Sequence, residues 1–313
     1  MTRAFTFPGQ GSQAVGMGKE LADAFPAAKA VFDEIDDALG QKLSQLMWEG
    51  PEDQLTLTEN AQPALMAVSL AAMRVLESEG GWSLSDKASY VAGHSLGEYS
   101  ALAAAGTFTV ADTARLLKIR GKAMQAAVPV GEGAMAAMLG LSFEDAMSVA
   151  AEASSDGVCS AANDNADGQV VISGSKAAVE RAAVLAKEKG AKRAMLLPVS
   201  APFHCSLMQP AADAMAEALA NVEMKAPCVP LVANVIASAV SDPEEIKKLL
   251  VEQVTGMVRW RESVKYLGAQ GVTELVEVGT GKVLTGLTRR IDKSISGSAV
   301  GTPADVASFL ESL

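Results

Sequence analysis

Tyr90-Val91-Ala92-Gly93-His94-Ser95-Leu96-Gly97-Glu98-Tyr99 decides how this chain is read. Residues from Ala88 to Ala92 have strand character, and those from Leu96 to Ala105, rich in Ala and Leu, have helical character. Between them lies Gly93-His94-Ser95-Leu96-Gly97, a Gly-x-Ser-x-Gly pentapeptide in the strand-to-helix setting that a nucleophile elbow requires. A serine on so sharp a turn projects its hydroxyl beyond the sheet, and small residues two before and two after it permit close backbone approach. The pentapeptide alone also arises by chance in a Gly- and Ala-rich chain; its flanks favour the catalytic reading. Ser95 is therefore the candidate nucleophile. The Leu96 amide, at the start of the following helix, is a candidate oxyanion donor.

Outward from the elbow the chain alternates strand and helix. A strand over Ala4 to Phe7 closes at Pro8-Gly9-Gln10-Gly11 and leads to a helix from about Val15 to Phe25, with further helices at Ala27 to Leu39 and Ala61 to Glu79. A second helix after the elbow spans Val110 to Ala127. The rhythm changes over 131–199: strand Ala134 to Leu139, helix Phe143 to Ala153, strands Val158 to Ala162 and Gln169 to Ser173, helix Lys176 to Lys189, strand Arg193 to Pro198. This β-α-β-β-α-β order is the ferredoxin-like arrangement, in a segment of about 70 residues that suffices for a subdomain. Strand Val229 to Asn234, helix Pro243 to Gln253, strand Glu274 to Glu277 and helix Lys282 to Arg290 then resume the first pattern. The expectation is an α/β protein whose large subdomain, 1–130 and 200–313, is interrupted by a small one at 131–199.

A serine nucleophile needs a base, and the chain has two histidines. His94 adjoins Ser95 in the turn, where neighbouring side chains diverge. His204, in the loop Pro198-Val199-Ser200-Ala201-Pro202-Phe203-His204-Cys205, is the remaining base; a surface histidine is the bland alternative. Cys205 reads as packing. On the helix Val110 to Ala127, Arg115, Lys118 and Lys122 share a polar face, while Arg120 has Leu116, Leu117, Ala123 and Met124 at three- and four-residue spacing. A guanidinium turned toward a core needs an anion, either an internal carboxylate or, so close to the elbow, a substrate carboxylate or phosphate. Gly9-Gln10-Gly11-Ser12-Gln13-Ala14 fits a dinucleotide fingerprint formally, but no second strand with a terminal acid follows at the required distance. The other reading places the Gln10 amide beside Ser95 as a second oxyanion donor.

Composition narrows the classes. Hydrophobic residues make up 49% and charged residues 20%, the balance of a folded globular chain. The N-terminal residues lack an apolar leader core, and no stretch reaches the roughly 18 apolar residues of a membrane span, so a cytoplasmic, non-membrane protein is expected. Cys159, Cys205 and Cys228 form no Cys-x-x-Cys pair, which suggests neither a disulfide framework nor a metal site. A net charge of −11 argues against nucleic-acid binding.

Taken together, Phe7-Pro8-Gly9-Gln10-Gly11-Ser12-Gln13, Gly93-His94-Ser95-Leu96-Gly97-Glu98, Arg120, Phe203-His204 and Glu277-Val278-Gly279 resemble the malonyl-CoA:acyl carrier protein transacylase family over essentially the whole chain. The resemblance implies an α/β-hydrolase-like large subdomain with a parallel sheet and an inserted ferredoxin-like small one. It implies Ser95 as nucleophile, His204 as base, Arg120 as clamp for the malonyl carboxylate, and Gln10 with Leu96 as oxyanion hole. It alone points to Gln253, whose backbone carbonyl would orient the histidine in place of a triad acid. Phe203 is similar to the aromatic residue that limits room for an α-methyl branch in malonyl-selecting relatives. The implied activity is ping-pong transfer of malonyl from malonyl-CoA to the phosphopantetheine thiol of acyl carrier protein, in fatty acid biosynthesis, with no cofactor and as a monomer.

A serine esterase or thioesterase on the same elbow is the enzymatic alternative, and a carrier-binding scaffold the non-enzymatic one. Lys189, Lys192, Arg193, Lys282, Arg289 and Arg290 are the cations expected to meet an acidic carrier.

Overall fold

Strands buried on both faces read as nearly continuous apolar runs. In the computed structural model, which describes residues 2–313, the strands are β1 (Arg3–Phe7), β2 (Tyr90–Gly93), β3 (Gly133–Leu139), β4 (Cys159–Ala166) and β5 (Gln169–Ser175). They continue with β6 (Arg193–Leu196), β7 (Leu231–Ala233), β8 (Ser238–Val240), β9 (Glu274–Val278) and β10 (Ser296–Val300). The larger sheet has the order β10-β9-β1-β2-β7-β8. All its pairings are parallel except β7 with β8, a short antiparallel pair at one edge.

Alternation along the central strands sends side chains to two separate cores. Phe5, Phe7, Val91, Val276 and Val278 pack with Leu65, Val68, Ala72 and Val75 of the helix Thr58–Gly80. Ala4, Ala92, Val232 and Leu275 face the other way, onto Trp260, Val264 and Leu267 of the helix Trp260–Ala269 and Leu284 and Leu287 of the helix Val283–Ile291. The C-terminal ends of β1, β2 and β7 therefore emerge side by side between two helical layers, where the loops that carry the site begin.

The second sheet, β4-β5-β3-β6, is antiparallel throughout. The helices Phe143–Ala153 and Lys176–Glu188 pack against it through Ala146, Val149, Ala150, Val179 and Ala182. Strand order and connections are those of a ferredoxin-like unit. This unit is seated on the larger one by backbone pairing: Val258 N–H donates to Ala162 O at 2.9 Å and Asp164 N–H to Val258 O at 3.0 Å. Beside that pairing, Arg261 Nε lies 3.0 and 2.9 Å from the two carboxylate oxygens of the fully buried Asp164.

Several boundaries differ from the sequence reading. The helix expected from Val15 is only Lys19–Ala24, because Gly16 and Gly18 take φ of 94° and 76°. The strand expected over Val158 to Ala162 runs on to Ala166, carried by its hairpin with β5 across Asp167-Gly168, where Gly168 has φ 72°. The strands expected at Arg193 to Pro198 and Val229 to Asn234 shorten to β6 and β7.

Candidate active site

The elbow forms because three glycines remove the atoms that would hold its parts apart. A Cβ on Gly93 would stand 1.9 Å from Gly97 C, one on Gly97 2.2 Å from Phe7 O, and one on Gly9 2.8 Å from His94 O. His94 N–H donates to Phe7 O at 3.0 Å, so the first loop is held against the serine turn. Ser95 sits at φ 54° and ψ −110°, a conformation that L residues rarely adopt. His204 has φ 58°, a left-handed backbone that no residue pattern around it predicts.

Ser95 Oγ and His204 Nε2 are 2.8 Å apart. On its other side, His204 Nδ1 lies 2.8 Å from Gln253 O and 3.1 Å from Gly256 O. Carbonyl oxygens only accept, so Nδ1 carries the hydrogen and Nε2 presents its lone pair to the Ser95 hydroxyl. Burial, followed by the positive charge of Arg120, pushes the His204 pKa down to about 3. The ring is thus a neutral base across the ordinary pH range.

His94 turns away, with Nε2 2.8 Å from Asn165 Oδ1 of β4, and its ring is tilted against Trp260 at 5.8 Å. Cys205 is buried, with Sγ 3.1 Å from Pro202 O, and burial raises its thiol pKa. It packs below the histidine rather than competing with the serine.

Arg120 is 1% exposed. Its hydrogen-bond partners are Gln62 Oε1 at 2.8 Å, Gln253 Oε1 at 2.8 Å and Ser95 Oγ at 3.1 Å; none is a carboxylate. Nε has no partner among the described residues, and the guanidinium stands 5.6 Å from the centre of the Tyr99 ring. Of the two sequence readings, the internal ion pair is therefore absent among the described residues. A buried cation is presented beside Ser95 with amide oxygens to orient it and no anion to neutralise it at contact distance.

These groups line a cavity of about 690 Å³ that also takes in Gln10, Leu96, Met124 and Phe203 from the large subdomain and Met135, Asn163 and Leu197 from the small one. Gln10 is fixed through its side chain, Nε2 donating to the buried Thr58 Oγ1 at 3.3 Å. Neither the Gln10 nor the Leu96 backbone N–H donates to an acceptor among the described residues. Two free amides at this turn are what a developing oxyanion needs. The six cations expected to meet an acidic carrier do not line the cavity. Lys189 pairs with Glu152 at 2.7 Å, and Arg290 Nη1 donates to Gln169 Oε1 at 3.0 Å.

Gln253 brings its carbonyl to 2.8 Å from His204 Nδ1 and its side-chain Oε1 to 2.8 Å from Arg120 Nη2. Sequence reading passed over Gln62, Asn165 and Asn234. Asn234 directly follows β7, beside the elbow strand; a polar residue at the carboxyl end of a parallel strand next to the nucleophile was the available signal.

A family model described as "Acyl transferase domain" matches residues 4–303. The chain is 48% identical over 308 residues to the malonyl CoA-acyl carrier protein transacylase of Escherichia coli (strain K12), covering 98% of each. An acyl-carrier-protein-S-malonyltransferase from Bartonella henselae superposes with a TM-score of 0.97 at 59% identity, covering 100% of this chain and 99% of that one. A malonyl-transacylase in complex with its type II PKS acyl-carrier protein superposes with a TM-score of 0.96 at 45% identity, covering 100% of both chains.

Proposed function

This chain belongs to the acyl transferase domain family, and from that premise we propose that it moves malonyl from malonyl-CoA to the phosphopantetheine thiol of acyl carrier protein, supplying fatty acid biosynthesis. The observation that carries the choice of acyl group is Arg120, a buried guanidinium without a carboxylate partner, 3.1 Å from the Ser95 hydroxyl. An acyl group bearing a free carboxylate supplies the missing anion, in the fork geometry that arginine favours.

The reaction runs in two halves. Ser95 Oγ attacks the malonyl thioester carbonyl while its proton passes to His204 Nε2, and the carbonyl oxygen, now anionic, is met by the Gln10 and Leu96 amides. The C–S bond breaks, His204 returns the proton to the CoA sulfur, and malonyl remains on Ser95 as an ester. The carrier's thiol then repeats the sequence in reverse. No oxidation state changes and His204 handles every proton, so the reading calls for no metal or redox cofactor. Phe203, lining the cavity just before the base, is placed to limit a branch on the acyl α-carbon. We take the chain to act in the cytoplasm as a monomer, with an acyl carrier protein as its macromolecular partner.

Intact-mass measurement after mixing with malonyl-CoA tests this directly. A malonyl adduct that maps to Ser95 and disappears on adding the carrier thiol is expected. Release of malonate by water, at a rate unchanged by acceptor thiol, would mark a hydrolase instead. Arg120→Ala is expected to reduce kcat/KM for malonyl-CoA by about 10²-fold or more, the scale of losing a charged hydrogen-bonded contact, while acetyl transfer survives. Equal loss for both acyl groups would remove Arg120 from the role of clamp.

A further inference from the structure

Glu98 closes the elbow motif, yet the two half-reactions leave it without a part. It lies in the first turn of the helix Leu96–Ala104 and is 0% exposed. Carboxyl groups are seldom buried without a partner cation, and where volume alone matters an apolar or amide side chain is the less costly occupant. The nearest cation, Arg120, makes its hydrogen bonds to other groups.

What Glu98 does touch is specific. Its Oε2 accepts the Asn234 backbone N–H at 2.9 Å and Gln253 Nε2 at 3.1 Å, whereas Oε1 has no partner among the described residues. Asn234 in turn bridges the serine turn, accepting the Ser95 N–H on Oδ1 at 2.8 Å and donating from Nδ2 to Gly93 O at 2.7 Å. Gln253 branches further. Its Nε2 also lies 2.9 Å from Ser95 O and 3.2 Å from Asn234 Oδ1, its Oε1 receives Arg120, and its backbone carbonyl receives His204 Nδ1.

We propose that Glu98 is a positioning residue for acyl transfer: one oxygen of its buried carboxyl holds Asn234 and Gln253, and through them sets the Ser95 turn, the Arg120 guanidinium and the His204 imidazole together. The proposal rests on the roles given above to Ser95, His204 and Arg120. Both hydrogen bonds fall on Oε2, so a proton on the partnerless Oε1 leaves them intact, and the scaffold holds whether or not the group is ionised. Burial raises the Glu98 pKa to about 7, which makes that indifference useful near neutrality. A glutamine whose carbonyl takes the place of Oε2 has the shape of the protonated acid and keeps both acceptor contacts. An aspartate is one methylene too short to reach both.

Rapid-quench mixing of the full chain with saturating malonyl-CoA, read by intact mass, separates two quantities. The amplitude of the Ser95 adduct counts folded, competent protein, and the rate constant reports how well the groups are aligned. Glu98→Asp is expected to slow acylation at least tenfold at full amplitude, and Glu98→Gln to restore the rate to within threefold of the unaltered chain. A merely structural residue would lower amplitude and Tm and leave the rate constant alone, and that result overturns the proposal. So does Glu98→Asp within threefold of the unaltered chain, or Glu98→Gln as slow as Glu98→Asp. Should Glu98→Asp fail to fold, Asn234→Ala cuts the same path one residue on, and the same tenfold loss is required of it, a rate within threefold counting against the proposal. Absence of any Ser95 adduct in the unaltered chain would instead overturn the transfer reading itself.

Discussion

Ser95 and His204 are two of three non-glycine residues at positive φ among the described residues, and they are the two whose side chains meet. Strain of this kind persists only where surrounding contacts enforce it, and here the enforcing contacts are the Asn234 amide on one side and two backbone carbonyls on the other. The His204 imidazole is held neutral first by burial and then by Arg120. Arg120 opposes a second positive charge on the imidazole, so removing it should raise the pKa of His204. The acid limb of kcat/KM for acetyl-CoA should accordingly lie far below 6.5 in the unaltered chain and move upward in Arg120→Ala; coincident limbs in the two pH profiles would disprove the coupling. Ser95, His204 and Arg120 were legible in the sequence because each is conspicuous: a serine between glycines, one of two histidines, a cation on an apolar helix face. Gln253 was legible only by resemblance, since its part is played partly by a main-chain carbonyl that any residue possesses. Gln62 was not, because a polar residue inside a helix reveals its partners only once the chain is folded; Asn234 carried a signal only in its place just after a strand beside the elbow.

The elbow works as an element because strand, turn and helix are in backbone contact with the loop after β1. Gly97→Ala would bring a methyl to 2.2 Å from Phe7 O and 2.9 Å from Pro8 O. Overpacking of that order costs about 1–3 kcal/mol, and relief is available only by moving the Phe7 to Gln10 segment away from Ser95. Urea unfolding should show the loss of stability, and the rate of Ser95 acylation should fall at least tenfold in the protein that remains folded, because the Gln10 amide, proposed above as an oxyanion donor, travels with the loop. Gly286, inside the helix Val283–Ile291 with nothing near its absent Cβ, is the control: Gly286→Ala should raise stability by roughly 0.5–1 kcal/mol and leave acylation unchanged. Elements with strong apolar contrast, such as β1, the helix Thr58–Gly80 and the whole β-α-β-β-α-β order of the small subdomain, could be read in advance. The strand β10, Ser-Gly-Ser-Ala-Val, could not, because an edge strand of small residues has no period to detect. The helix Gln209–Ala220 escaped for the same reason, its alanines falling on buried and exposed faces alike.

Across the whole molecule, the small subdomain is not a free lid. It pairs with Val258, just after the segment whose carbonyls hold His204, and it reaches the elbow through Asn165 and His94. Catalytic geometry and global stability therefore share buried ionisable groups, and two of these oppose each other. His204 has a folded-state pKa of about 3 against 6.5 for the free side chain. As pH falls through 6.5 the unfolded chain binds a proton there and the folded chain does not, so folding weakens toward acid. Glu98 acts in the reverse sense, with a pKa of about 7 when folded against 4.5 for the free side chain. Its proton is held equally by both states below 4.5; as pH rises from there the unfolded chain releases it first, and the stability it contributes is lost by about pH 7. Burial dominates that shift, and the opposing influences are the Asn234 N–H, Gln253 and the charge of Arg120 from the helix Val110–Ala126. Glu98→Gln abolishes the second slope and retains the first. Between pH 5 and pH 8 its unfolding free energy, from urea titrations, should therefore gain on that of the unaltered chain by about 2–3 kcal/mol, given roughly 1.4 kcal/mol for each pH unit of separation. Parallel stability profiles for the two chains would mean that Glu98 is already ionised in the folded protein at pH 5, and that its oxygen holds the site as a full charge at every pH where the enzyme works.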